Sequence, residues 1–127
     1  MRITRDAVWL VALGRVGIGL GMLARPRLLP AVVGVDSGTA ARVSWVVRML
    51  GVREVVLGAG ALAALRRGAD ARDWVLAQAV SDAVDSAAFA GAVARGHAHR
   101  VTGSLFACTG AAAAAVQGVS LAGERGE

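Results

Sequence analysis

Two carboxylates, Asp82 and Asp85, stand three residues apart in the otherwise apolar stretch Val80-Ser81-Asp82-Ala83-Val84-Asp85-Ser86-Ala87-Ala88-Phe89. Carboxylates that share a site repel one another, so one tends to hold a proton while the other, beside a cation, stays ionised. An acid and a base are thereby supplied together, a combination suited to isomerisation, cyclisation or epoxide opening. The same chemistry can draw on Arg53-Glu54, which adjoin in a second apolar stretch, and on Arg15, set among Gly14, Gly17, Gly19 and Gly21. Asp82, Asp85, Arg53 and Glu54 are the candidate catalytic groups. Arg15, Arg48, Gln78, Ser86 and Phe89 are the candidate substrate-binding groups. At about 100° per residue, Gln78, Asp82, Asp85, Ser86 and Phe89 share one face of a helix, with Ser81 at its edge. No Ser, Cys or His is placed for nucleophilic catalysis, so acyl transfer is set aside.

The elements that must hold these groups are apolar and long. The chain has 127 residues, enough for one domain, with 56% hydrophobic residues and a mean hydropathy of +0.58. Residues 7–24, 43–65, 74–94 and 101–122 are apolar runs, each near the ~20 residues a helix needs to cross a bilayer. Between them lie Arg25-Pro26-Arg27, Asp36-Ser37-Gly38, Arg66-Arg67-Gly68-Ala69-Asp70 and Arg95-Gly96-His97, which carry charge and helix breakers. Trp9, Trp45 and Trp74 each fall near the start of a run, where aromatic residues anchor helices at headgroups. The expected fold is all-α, a four-helix transmembrane bundle in a single membrane domain. The longest loop, 25–42, contains Leu28-Leu29-Pro30-Ala31-Val32-Val33, apolar enough to lie on the interface, and Asp36 to Thr39 offer N-caps for the second long helix.

Arg15, Arg48, Arg53, Glu54, Asp82 and Asp85 all fall inside the runs, and each costs roughly 2.5–3.5 kcal/mol at a bilayer centre on insertion scales. All but Arg48 lie near the midpoints of their runs, and Arg48 sits about 9 Å away at the helical rise. Three positive and three negative groups sum to zero, the expected arrangement if they pair inside the bundle. By depth, Arg48 pairs with Asp85, leaving Asp82 for Arg15 or Arg53. Arg53 and Glu54 point about 100° apart and so serve different partners. Gly17 and Gly21 form GxxxG, which lets a neighbouring backbone come close. The fourth run carries no charge and reads as packing surface.

Other classes fit less well. All 14 basic residues are Arg, and the net charge is +5. No basic stretch has interleaved aromatics, so a nucleic-acid partner is not expected. Val55-Val56-Leu57-Gly58-Ala59-Gly60-Ala61-Leu62-Ala63 imitates a dinucleotide fingerprint, but no second strand follows to carry an acid to a ribose. The basic start and first apolar run imitate a signal peptide, yet Arg15 interrupts the run and Met22-Leu23-Ala24 is a poor cleavage site. His97 and His99 lack a third ligand, and Cys108 is alone and reads as a small buried apolar residue. No metal and no cofactor are expected.

With four crossings, Arg2, Arg5, Arg66, Arg67, Arg72 and Arg125 would share one side and Arg25, Arg27, Arg42, Arg95 and Arg100 the other. So even a balance gives the positive-inside rule little to act on and permits an antiparallel homodimer.

The motif Gly51-Val52-Arg53-Glu54-Val55-Val56-Leu57-Gly58, with Asp82-x-x-Asp85, resembles small four-helix bacterial integral membrane proteins of unknown function, distantly DoxX-like. The resemblance implies the four-helix fold and a multi-pass location in a bacterial inner or plasma membrane, and nothing about substrate. Three functions compete. An enzyme or binding protein would act on a membrane lipid or lipophilic small molecule that enters from the bilayer. A proton-coupled transporter would work as a dimer. An accessory subunit would use the charges only as a clasp.

Overall fold

Pro26 decides where the first helix stops. Proline disfavours helical backbone in the residue before it, and α1, Arg5–Ala24, ends just short of that residue. The Arg25 N–H still donates to the Gly21 carbonyl at 2.8 Å. The computed structural model describes residues 5–123, with side chains to residue 118. After α1 come α2 (Leu28–Val32), α3 (Ser37–Arg42), α4 (Ser44–Arg66), α5 (Arg72–Ala94) and α6 (Arg100–Gly123).

Among the described residues the fold is all-α, but with six helices. Each of the four apolar runs falls in a helix of 20 to 24 residues. The loop expected over 25–42 is instead built from the two short helices. Asp36 is an N-cap, its Oδ1 accepting from the Thr39 N–H at 2.9 Å. It caps α3, however, and not the long helix that follows. At the far ends of α4 and α5, Gly68 and Gly96 take φ of +67° and +73°, the left-handed conformation that closes a helix at little cost only for glycine. The Ala69 and His97 N–H groups then donate back to the Ala64 and Ala92 carbonyls.

The long helices pack as two antiparallel pairs, α1 with α4 and α5 with α6, while α4 and α5 touch only sparsely. Each close pairing is made by small residues. A Cβ on Gly58 would stand 2.5 Å from the Ala12 carbonyl oxygen, and one on Gly19 would stand 2.5 Å from that of Gly51. In the other pair, a Cβ on Gly110 would meet Ser86 Oγ and one on Gly103 would meet Val93. Where α4 turns into α5, Ala64, Leu65 and Ala71 are buried against Val8, Trp9 and Trp74. Arg5 donates to the Leu65 carbonyl there, and the Arg66 guanidinium lies over the Trp9 ring at 5.7 Å.

The GxxxG of α1 is not the close face. Gly17 and Gly21 are exposed with open space around them, and the helix turns Ala12, Arg15 and Gly19 inward instead. Cys108, expected to be buried, is exposed. It lies about 140° around α6 from Gly103 at helical spacing, well away from the face that meets α5.

Exposure is inverted relative to an ordinary water-soluble domain. Leu10 is 72% exposed, Trp45 63% and Met49 62%, whereas Arg15, Glu54, Gln78 and Gln117 are each 8% or less. Water-soluble folds bury the first kind of residue and expose the second. Among the described residues, one helix, α1, is long and apolar enough by length and composition to cross a membrane.

Two outcomes test this packing. Gly58→Ala should destabilise by about 1–3 kcal/mol, because the Ala12 backbone cannot give way. Gly17→Ala, placed in open space, should instead gain up to about 1 kcal/mol from helix propensity. Thermal unfolding in detergent that moved both in the same direction would contradict the assigned seam. The second outcome concerns Asp36, whose carboxyl is held below its ordinary 3.8 chiefly by the hydrogen bond from the Thr39 N–H. A depressed folded-state pKa means that the cap is intact above 3.8 and is lost as pH falls through the lower folded value. The Thr39 amide proton resonance should therefore titrate with a midpoint below 3.8.

A charge network between two helix pairs

The inward face of α1 reads Ala12, Arg15, Gly19, and that of α4 reads Gly51, Glu54, Gly58. Both follow the same spacing of three and then four, which keeps each set on one side of its helix. Antiparallel packing sets the two central residues opposite each other, with small residues to either side. Arg15 Nη1 accordingly donates to Glu54 Oε2 at 2.6 Å, and both side chains are nine-tenths buried.

Arg15 does not stop there. Its Nη2 reaches α5 and donates to Asp82 Oδ1 and Oδ2 at 2.6 and 2.5 Å. One step along α4, Arg53 projects about 100° from Glu54 and meets Asp85 through both terminal nitrogens, at 3.1 and 2.5 Å. Arg53 and Glu54 themselves touch at 3.2 Å. From α6, Gln117 Nε2 donates to Asp82 Oδ2 at 3.1 Å. A continuous chain therefore runs Gln117–Asp82–Arg15–Glu54–Arg53–Asp85 and joins all four long helices. One end of it is buried, and at the other end the Arg53 and Asp85 side chains are about one-third exposed, at 33% and 35%.

Five of the sequence-derived candidates, Arg15, Arg53, Glu54, Asp82 and Asp85, thus come together. Gln78 is fully buried and donates from Nε2 to the Leu57 carbonyl at 3.3 Å, tying α5 to α4. Ser86 serves the α5–α6 seam, donating to the Ala107 carbonyl at 2.8 Å. Phe89 stacks on Phe106 with ring centroids 5.2 Å apart. Ser86 and Phe89 therefore hold α6 in place, so that Gln117 can reach Asp82.

Arg48 does not belong to the network, and the expected Arg48–Asp85 pair does not form. Depth along the helix was the wrong criterion. Five residues separate Arg48 from Arg53, which is about 140° around α4. Arg48 is exposed and lines a surface depression with Ala24, Arg25, Pro26, Arg27 and Ser44. Its removal changes the charge count. Two guanidiniums, Arg15 and Arg53, face three carboxylates, Glu54, Asp82 and Asp85, so with every group ionised the network carries one surplus negative charge. Within it, one guanidinium, Arg15, serves two buried carboxylates.

Gln117 escapes a reading based on charge, because α6 has none near its centre. The available signal was spacing. Gly103, Gly110 and Gln117 recur every seven residues, the repeat of a helix face that stays against its neighbour.

The network predicts a ranking of stabilities. Arg15→Gln leaves Glu54 with Arg53 alone and Asp82 with Gln117 alone, and should cost about 3–5 kcal/mol. Arg53→Gln removes a partner that is one-third exposed and should cost clearly less. Arg48→Gln should stay within about 0.5 kcal/mol of the parent. Unfolding in detergent checks the order, and a loss at Arg48 equal to that at Arg15 would contradict the geometry. No family model, curated protein or solved structure matches this chain.

Proposed function

We propose that the chain is a multi-pass membrane protein whose four long helices cross a bilayer, and that the charge network is its site for a lipophilic small molecule. The inverted exposure carries this reading: large apolar side chains cover the outside while Arg15, Glu54 and Gln117 are buried. In lipid the outside is the apolar solvent, and ionisable side chains turn to the bundle interior and pair.

The site sits between the two helix pairs, which touch only sparsely, and its one-third-exposed Arg53–Asp85 end faces outward beside exposed Val52, Val56 and Val84. A ligand arriving from the hydrocarbon would meet that end first. A site with one carboxylate more than it has guanidiniums can accept a proton or a cationic group, which favours acid/base chemistry or ligand-linked protonation. The proposed roles are Asp85 and Arg53 as the groups that meet ligand, Asp82 and Glu54 as the proton-accepting pair, and Arg15 as the fixed cation between them.

Two measurements test it. The protein should stay in membranes through carbonate extraction, and release into the soluble fraction would refute the membrane assignment. Wild-type protein in lipid nanodiscs should retain a small lipophilic molecule, detectable by native mass spectrometry, that Asp82→Asn loses while its fold persists. If instead Asp82→Asn only lowers stability, with unchanged bound molecules, the network is a clasp.

A further inference from the structure

Three arginines outside the network meet at the opposite end of the α1–α4 pair from Trp9. Arg25 and Arg27 lie in the turn after α1, Arg48 lies one turn into α4, and all three are exposed and line one depression with Ala24, Pro26 and Ser44. No acid lines it. Among the described residues, none of the three guanidiniums has a hydrogen-bond or ion-pair partner. The depression also takes in Ser44, the first residue of the 23-residue helix α4, whose N-terminus carries partial positive charge. Three like charges held together without a counter-ion repel one another, and an oxyanion relieves that repulsion through the bidentate hydrogen bonds a guanidinium offers.

A purely structural role accounts for part of this. Cations just past a helix C-terminus favour its dipole, which explains Arg25 and Arg27 at the end of α1. It does not explain Arg48, which sits near a helix N-terminus, where a cation is unfavourable.

The surroundings say which oxyanion. Leu28 and Val32 of α2 are 59% and 48% exposed, and Trp45, beside Ser44, is 63% exposed. Apolar side chains and an exposed indole around a cationic site match the boundary between headgroups and acyl chains. We propose that Arg25, Arg27 and Arg48 form a phosphate-binding site for the headgroup of an anionic phospholipid, whose acyl chains lie along the exposed apolar face of α1 and α4. The inference rests on the membrane reading above but not on the network.

The test uses full-length protein in nanodiscs of phosphatidylcholine, alone or mixed with phosphatidylglycerol of the same chains. Insertion into the phosphatidylcholine discs tests the membrane reading separately. Lipid retained on release from the disc is counted by native mass spectrometry. Wild type should retain phosphatidylglycerol over phosphatidylcholine by about tenfold, a difference of about 1.4 kcal/mol. R27Q/R48Q should lose that preference with an unchanged melting temperature, since neither side chain has a partner to strand. Arg42→Gln, outside the depression, should keep it. Equal retention of the two lipids by wild type, or an undiminished preference in R27Q/R48Q, overturns the proposal. Displacement of phosphatidylglycerol by millimolar inorganic phosphate overturns the lipid assignment in favour of free phosphate.

Discussion

One guanidinium holds the arrangement together. The two helix pairs are each zipped by small residues, yet α4 and α5 touch only sparsely. Arg15 bridges that gap, with Nη1 on Glu54 and Nη2 on Asp82. Lysine could not do the same, because a planar fork presents donors in fixed, divergent directions whereas an ammonium is a point charge. The fork also needs room. Arg15 fits within the α1–α4 seam because Ala12 and Gly19 precede and follow it on the same face, with Gly51 and Gly58 opposite. The small residues and the charge form one design, since larger neighbours would hold the backbones apart and smaller spacing would leave no space for the guanidinium.

Stability alone does not explain such a network. A buried ion pair often gains less from attraction than it loses in desolvation, and apolar replacements of similar volume can be more stable. Polar contacts between membrane helices average about 0.6 kcal/mol. The two small-residue seams already supply close packing without charge. What the network adds is direction: it fixes how one pair sits against the other, and it sets carboxylates at a shared boundary with one end partly exposed. A clasp could be built from matched pairs. This one has two carboxylates on one guanidinium, an imbalance that matched pairing would avoid.

The sequence foretold the helices better than their facing. Run length placed the four long helices, and the i, i+3, i+4 pattern put Gln78, Asp82, Asp85, Ser86 and Phe89 on one side of α5. The short helices α2 and α3 escaped because five or six residues do not complete two turns, so no periodicity develops. Depth alone pairs Arg48 with Asp85, and depth carries no azimuth. The same azimuth, applied to Arg53 and Glu54, was informative: they do serve different helices, although the two side chains still touch. GxxxG at Gly17 and Gly21 misled because small residues permit close approach without requiring it. The used seam is the longer pattern in which Ala12 and Gly19 flank Arg15 and Gly51 and Gly58 flank Glu54. Its signature is a charge between small residues, repeated on two helices with opposite sign.

Composition picks out α1 and passes over α4 and α5, and the difference between them is charge. Hydropathy scores a residue as though it stood by itself. On that basis Arg53 and Glu54 in α4, and Asp82 and Asp85 in α5, each count at the full cost of a lone charge in hydrocarbon. α1 contains the network's most buried cation, Arg15, and still qualifies because its partners are charged to other helices. The lowered hydropathy of α4 and α5 comes in large part from four of the side chains that pair in the interior, Arg53, Glu54, Asp82 and Asp85, with Arg48 and Arg66 adding to it in α4. A charge inserted beside its counter-ion is not the charge the scale measures, because each partner replaces water that the other has lost. The outward faces of α4 and α5, with Met49, Val52 and Val56 on one and Leu76, Val80 and Val84 on the other, are the surfaces lipid would meet. Asp73, in the first turn of α5, and Arg48, one turn into α4, are exposed on those faces only near the helix starts. For helices of this kind, the apolarity of the exposed face decides whether a bilayer can hold them, and the average over the whole helix does not.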